Sequence, residues 1–339
     1  MKPSELSIYL EFAIVHTFNV LIVSKPGTGK TEITKNACEA FRNGNSLAVF
    51  LWHPVVHDPT NYKGLPFPDN THTFTKWLPY GGIWDLINAK EDYIVVIIDD
   101  LGQAIDAVQK PLMQLLLEKQ IDGLLIPNRV VFIALTNRRE DKAGVQGILE
   151  PVKSRFKGGI IHLEVDTEDW VKWAIINQMP TVLTAFIRFR PELLDNFKPT
   201  KDMVNSPCPR TVAAVGETYN KGIPAGLEFE VFSGIAGKGF ASEFMAFLDM
   251  YRTLPDIKFV LMNPKSADVP TEPSTLYAVC GALAENASEN NFDNVVEYTN
   301  RLPSEFQVLL IKDATNRKKE LVNTNAFIKW TSDHSDVLI

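Results

Sequence analysis

In the first half of the chain, short apolar runs alternate with stretches whose apolar residues recur at helical spacing. The runs are Val20-Leu21-Ile22-Val23, Ser46–Trp52 (SLAVFLW), Tyr93–Asp100 (YIVVIIDD), Arg129–Thr136 (RVVFIALT) and Ile160–Val165. Such near-continuous runs are typical of parallel-sheet strands buried on both faces. Between them, residues 4–17 put Leu6, Leu10 and Ile14 on one helical face, and Glu32–Phe41 continues the pattern. Leu101–Lys119 reads as a helix with Val108, Leu112, Leu115 and Leu116 on one side. Strand and helix in alternation predict an α/β domain on a parallel sheet.

Residues 53–75 interrupt this rhythm. They are rich in Pro, Asn, Asp and Gly and read as loop, within which DPTNYKGLPF and THTFTKWLPYGGIWDLI predict an inserted β-hairpin returning to a helix. Asp122-Gly123 marks a further turn. From Asp166 onward the pattern is helical. TEDWVKWAIINQ opens with Thr167 as its expected N-cap, and PTVLTAFIRF and PELLDNF continue it. TVAAVGETYN follows the prolines of PCPR, as helix starts favour. Residues 226–251 predict one more helix, and Pro255 onward predicts further helix interrupted by the loop MNPKSADVPTEPST. The end, SDHSDVLI, reads as frayed.

Composition narrows the function classes. At 339 residues the chain has room for two domains. A net charge of -7 argues against a surface built for nucleic-acid phosphate. Three separated cysteines, Cys38, Cys208 and Cys280, fit a reducing compartment without a disulfide framework. Glu5 and Glu11 within the N-terminal apolar stretch are unlike a signal peptide, and no run of about 18 apolar residues occurs. The expectation is a cytoplasmic protein with no membrane span. His53, His57 and His72 match no metal-ligand spacing.

Candidate chemistry sits where predicted strands end. Ser24–Thr31 reads SKPGTGKT, directly after an apolar run and before a helix, which is the context of a phosphate-binding loop. Gly27 and Gly29 let backbone N–H groups turn inward at a helix N-terminus. Lys30 is expected to reach the β- and γ-phosphates of a nucleotide, and the Thr31 hydroxyl to ligate Mg²⁺. The candidate nucleotide-binding set is Pro26, Gly27, Thr28, Gly29, Lys30, Thr31 and Glu32. Ser24 stands where the consensus has Gly, which would carry strain if that position needs positive φ. Asp99 and Asp100 end the third run, at the edge where α/β sheets bind ligands. Asp99 is the candidate Mg²⁺ partner beside Thr31, and Asp100 the group that orients or deprotonates an attacking water. As the bland alternative, the two acids cap a helix. Asn137 ends the fourth run and is placed to bond a γ-phosphate or the water, or else is a turn residue. Arg138 and Arg139 are either solvated or contacts to another subunit. Arg155, in GILEPVKSRF, cannot easily fold back to its own nucleotide and is a candidate for an adjacent subunit's site. Arg210 at a helix start is a cation where the helix dipole disfavours one, which points to a bound γ-phosphate.

Taken in order, SKPGTGKT, VVIIDD, ALTN, SRF and PCPRT resemble the AAA+ ATPases, as Walker A, Walker B, sensor 1, arginine finger and sensor 2. KGLPF and WLPYGGIWDLI before Walker B resemble the helix-2-insert clade, and GILEPVKSRF is similar to the finger box of its MoxR family. The resemblance covers roughly residues 1–250. It implies an AAA+ P-loop core (1–165), an α-helical lid (166–250) and a helical C-terminal extension (251–339). Carried over by motif, Lys30, Thr31, Asp99, Asp100, Asn137 and Arg210 act in cis, and Arg155 acts in trans. The implied function is ATP hydrolysis with Mg²⁺ in a ring, a hexamer, that remodels a protein client, in this family often a von Willebrand A or metallopeptidase-like protein. The hairpins around Thr73–Trp77 and Ile121–Pro127 would point at the pore or the client. Two departures stand out: Asp100 replaces the usual Glu and predicts slow turnover, and Ser154 precedes Arg155 where Asp is common. The alternatives are a McrB-like nucleic-acid motor and a nucleotide-bound scaffold with little turnover.

Overall fold

The computed structural model describes residues 1–141, 144–224 and 226–334. The chain forms two compact units, one spanning Met1–Val165 and the other running from Asp166 onward. In the first unit the strands are β1 (Val20–Ser24), β2 (Leu47–Trp52), β3 (Leu65–Pro68), β4 (Thr75–Leu78), β5 (Tyr93–Ile98), β6 (Gln120–Ile121), β7 (Leu124–Leu125), β8 (Val130–Asn137) and β9 (Ile160–His162). Its helices are α1 (Pro3–Val15), α2 (Lys30–Arg42), α3 (Thr60–Lys63), α4 (Gly81–Asn88), α5 (Asp106–Glu118) and α6 (Glu150–Lys153). Five strands form one parallel sheet in the order β2-β5-β8-β1-β9. This is the α/β domain on a parallel sheet expected from the sequence, followed by a mostly helical part.

Period-two alternation explains why the sheet is covered on both sides. Ile94, Val96 and Ile98 of β5 pack toward Leu112, Leu115, Phe132 and Val152. Val95 and Ile97 pack toward Leu6, Leu10, Ile14, Cys38 and Phe41 on α1 and α2. Each such side chain contributes about 1.5–3 kcal/mol on full burial. The apolar run is therefore stabilising only as a central strand, with a helical layer on each face.

The insert after β2 is the antiparallel β3–β4 hairpin, with Leu65 opposite Leu78 and Pro68 opposite Thr75. Its tip is organised by one carboxylate. Asp69 Oδ1 accepts from the backbone N–H of Thr73 (3.0 Å) and Phe74 (3.3 Å), and Oδ2 from that of Thr71 (3.1 Å). No residue of the two strands is buried: Leu65, Phe67, Trp77 and Leu78 are exposed, as is Phe74 in the tip. The turn at Asp122-Gly123 joins β6 and β7 into a second hairpin.

The second unit consists of α7 (Thr167–Ile176), α8 (Thr181–Phe189), α9 (Pro209–Asn220), α10 (Glu228–Ala236), α11 (Lys238–Arg252), α12 (Ile257–Met262), α13 (Pro273–Asn286), α14 (Phe292–Thr299), α15 (Ser304–Arg317) and α16 (Asn325–Asp333). Phe186 sits among Phe240, Phe244 and Phe247 with ring centroids 5.1–5.5 Å apart. On α13, Gly281 lies against α8, where an added Cβ would come within 3.1 Å of Thr181 Cγ2. A buried ion pair ties the helices together: the Arg188 guanidinium on α8 binds Asp313 on α15, with side-chain exposures of 8% and 2%. Glu168 on α7 joins from the surface at 3.1 Å.

Several local expectations are corrected. The helix predicted from Leu101 begins at Asp106, because a 3-10 turn over Leu101–Gln103 intervenes. The last core strand ends at His162 rather than Val165. The N-cap before Thr167 is Asp166, whose carboxylate accepts from Asp169 N at 3.0 Å. PELLDNF forms only a 3-10 turn at Pro191–Leu193. The 226–251 helix is two helices, broken at Gly237, where φ is +89°. Within the stretch read as loop, a 3-10 turn (Pro54–Val56) and α3 form. Of the frayed end, residues 335–339 lie outside the described residues. Among the described residues, no helix is long and apolar enough to cross a membrane.

Candidate functional site

Three neighbouring strands, β5, β8 and β1, end side by side, and the motif residues stand at or just after their last positions. Ser24 and Asn137 are register partners on the final rung between β1 and β8. The loop from Lys25 to Gly29 then turns into α2. Gly27 and Gly29 adopt φ of +75° and +90°, the left-handed region open to glycine at little cost. Ser24 is an ordinary strand residue outside that region, so the strain considered for it does not arise. Its hydroxyl lies 2.5 Å from Thr28 Oγ1, which also donates to Lys25 O at 3.2 Å. These contacts fix the loop from inside. The 13-residue α2 opens at Gly29, so the positive end of its dipole and its first N–H groups face the loop.

Lys30 is buried at 7% exposure, and its Nζ donates to Asn137 Oδ1 at 2.7 Å and to Lys25 O at 3.2 Å. Thr31 Oγ1 donates to Asp99 Oδ2 at 2.8 Å. The other Asp99 oxygen accepts from Asp100 N at 3.0 Å, and Asp99 N donates to Trp52 O at 2.8 Å. Asp100 takes φ of +56°, a conformation Asp tolerates better than most residues. It precedes the 3-10 turn but makes no side-chain cap bond, which removes the capping alternative for this acid. Its Oδ1 lies 3.4 Å from two amide donors, Asn137 Nδ2 and Gln103 Nε2. The Asn137 amide thus stands between the Lys30 ammonium and the Asp100 carboxylate.

The structure brings Lys30, Thr31, Asp99, Asp100 and Asn137 together from positions up to 107 residues apart. It leaves others elsewhere. Glu32 is exposed and accepts from Asn36 at 3.4 Å. Arg138 is paired with Asp141 at 2.6 Å, and Arg139 is exposed. Arg155 follows α6 and lines a groove of about 580 Å³ with Lys63, Lys110, Gln114 and Glu118. Its Nη1 donates to Ser154 Oγ at 3.2 Å, and its buried Nε has no hydrogen-bond partner. Arg210 is the second residue of α9, in the other unit, and is exposed.

The donor set suits a hard cation. Thr31 Oγ1 and Asp99 Oδ2 are adjacent oxygens beside the Gly27–Gly29 loop, a donor set that would suit Mg²⁺ held by one or two protein oxygens plus substrate phosphates. Among the described residues, no cluster of three or more His, Cys, Asp or Glu forms a metal cage. His57 instead lies 2.9 Å from the Tyr62 hydroxyl, and burial lowers its pKa. Sequence reasoning missed Gln103 and Gln109. Both lie in DLGQAIDAVQK, after the acids, and no motif marks them.

No family model matches the sequence, and no curated protein matches it either. Among solved structures the chain is similar to a RuvB mutant (P216G) of Thermotoga maritima, at 16% identity over 83% of this chain and 80% of that one, with a TM-score of 0.39. It is also similar to NtrX of Brucella abortus, at 12% identity over 95% of this chain and 65% of that one, with a TM-score of 0.36. A third likeness is to a protein of Cytophaga hutchinsonii described as an ATPase, at 12% identity over 92% and 80% of the two chains, with a TM-score of 0.33. Likenesses this distant carry no argument about activity, so the reading of the site rests on the strand order and the contacts above.

Proposed function

We propose that this protein is a MoxR-like AAA+ ATPase that hydrolyses ATP between the subunits of a ring, a hexamer, and uses the cycle to remodel a protein client. The observation that carries the reading is the convergence of Lys30, Thr31, Asp99, Asp100 and Asn137 at three adjacent strand ends. The loop N–H groups and the α2 dipole cradle the phosphates, and Lys30 neutralises them. Thr31 and Asp99 would hold Mg²⁺, which supplies charge stabilisation on the phosphate oxygens. Asp100 accepts the proton of the attacking water, and Asn137 holds that water and the γ-phosphate in line. Arg210 contributes from the lid (166–250), and the 251–339 stretch extends it. Arg155 serves the neighbouring site, which fits its place in a groove apart from the acids.

The client side of the proposal rests on the sequence resemblance and on the apolar, unburied β3–β4 hairpin. A von Willebrand A or metallopeptidase-like protein is the client class it suggests, and the acidic balance disfavours nucleic acid. Deleting Asn70–Thr75 should abolish remodelling and spare hydrolysis.

A complementation assay tests the ring. Arg155→Ala alone should lose about 10³–10⁵ in rate, and Asp100→Asn alone should be nearly inactive. Mixed together they should regain turnover, because Asp100→Asn subunits offer a guanidinium to intact acids. No recovery on mixing, with no ATP-dependent gain in mass, would reject the ring.

A further inference from the structure

Gln109 is a fully buried amide on α5, and it uses both its N–H donors and its carbonyl oxygen on two segments. Its Nε2 donates to Ala104 O at 2.9 Å and to Gly147 O at 2.9 Å, while its Oε1 accepts from Leu149 N at 3.1 Å. Ala104 closes the turn that follows Asp100. Gly147 to Leu149 lead into α6 and then Arg155. A second tie runs beside it, since Gly102 O accepts from Gln146 N (2.9 Å) and Gly147 N (3.2 Å). The turn itself has no slack: a Cβ on Gly102 would stand 2.3 Å from Thr136 Oγ1, one residue before Asn137. The turn after the acids is therefore packed against the end of β8 on one side and bonded to residues 146–149 on the other. Beyond that, Val152 and Phe156 anchor the segment in the core.

Apolar packing alone would be served as well by Leu or Met at this position, since burying an amide is unfavourable unless it is fully bonded. Gln109 has both donors and its oxygen bonded, and these partners belong to the acid-bearing turn and the arginine-bearing segment. We propose that Gln109 is a positioning residue that couples the two, so that the place of Asp100 in one subunit's site sets the place of the Arg155 offered to the next. The inference rests on Arg155 acting between subunits. A displaced guanidinium is costly, because an error of about 1 Å in a catalytic group can lower rate on the order of a hundredfold.

The test uses the full chain carrying Gln109→Met, which keeps the volume and removes the bonds. Turnover should fall on the order of a hundredfold with nucleotide affinity unchanged. Adding Arg155→Ala should cost little more than Arg155→Ala alone, since the two act as one unit. Mixing Gln109→Met with Asp100→Asn should restore turnover, which damage to the variant's own site would not allow. Independently of activity, exchange of the Leu149 amide proton should quicken. Should Gln109→Met fail to fold, Gly147→Ala addresses the same segment, because its φ of +123° strains any side chain although the space around it is open. Wild-type turnover in both variants, or losses that add to that of Arg155→Ala, would overturn the tether. Wild-type turnover in Arg155→Ala would instead sink the interfacial arginine, and this inference with it.

Discussion

Two polar networks of similar burial make opposite use of a cation. In the first unit, Lys30 at 7% exposure bonds an amide and a backbone carbonyl, at the open edge of the sheet. In the second, Arg188 at 8% side-chain exposure closes on the Asp313 carboxylate and reaches Glu168 as well. Those two carboxylates raise its pKa further against the desolvation that would lower it. The Arg188 pair is complete within the chain, so its energy goes to the fold. The Lys30 network lies beside the Gly27–Gly29 turn at the strand ends, where the proposed nucleotide would sit. Burial alone does not say whether a charge is structural; the chemistry of its partners does.

The widest separation between the networks should appear with Asp100→Asn. Turnover should drop by about 10²–10⁴, while the melting temperature and nucleotide affinity stay near wild type. A parallel fall in stability would erase the distinction. Next, Arg188→Met should destabilise the second unit by about 3–5 kcal/mol, because Asp313 is left buried and unpaired. Arg188→Met with Asp313→Leu should recover most of that loss in denaturant melts. Failure to recover would mean that the pair acts through more than its own charges.

A smaller effect sharpens the contrast at the hairpin. Hydrogen bonds from the Thr71 hydroxyl and from backbone N–H groups lower the Asp69 pKa below its ordinary 3.8. A depressed carboxylate stabilises above its unfolded value, and that contribution fades as pH falls through the folded one. The tip at 71–74 should therefore loosen only in acid, seen as faster exchange of the Thr73 and Phe74 amides. Asp69→Asn should loosen it at neutral pH and flatten the dependence, with hydrolysis unaffected.

The sheet was readable in the sequence because Ile94–Ile98 and Val130–Leu135 are apolar without interruption, and only a central parallel strand asks for that. The meeting of Lys30, Thr31 and Asp99 at the strand ends was readable because local spacing after the apolar runs places them there. Gln103 and Gln109 were not, since their meaning lies in partners such as Gly147 and Leu149 that only the fold brings near. The start of α5 was misplaced for a related reason. Leu101 and Ala104 are apolar and fit a helical pattern, yet they form a 3-10 turn whose Gly102 lies too close to Thr136 for a side chain. Asp166 and Thr167 are both good capping types, and sequence alone leaves a one-residue ambiguity that the fold resolves to Asp166. Arg188 and Asp313 are 125 positions apart and belong to no motif.

The sheet order also sets a timetable for synthesis. Both strands that flank β1 are encoded far downstream, the nearer in sequence beginning only at Val130. A nascent polypeptide leaves the ribosome from its N-terminus, so it exposes the glycine loop long before anything exists to hold that loop's strand in place. Until the stretch through Asn137 has emerged and docked, Lys30 lacks its amide partner and the loop lacks a floor. A half-made chain thus lacks the Lys30–Asn137 contact until the wiring of its own sheet is complete.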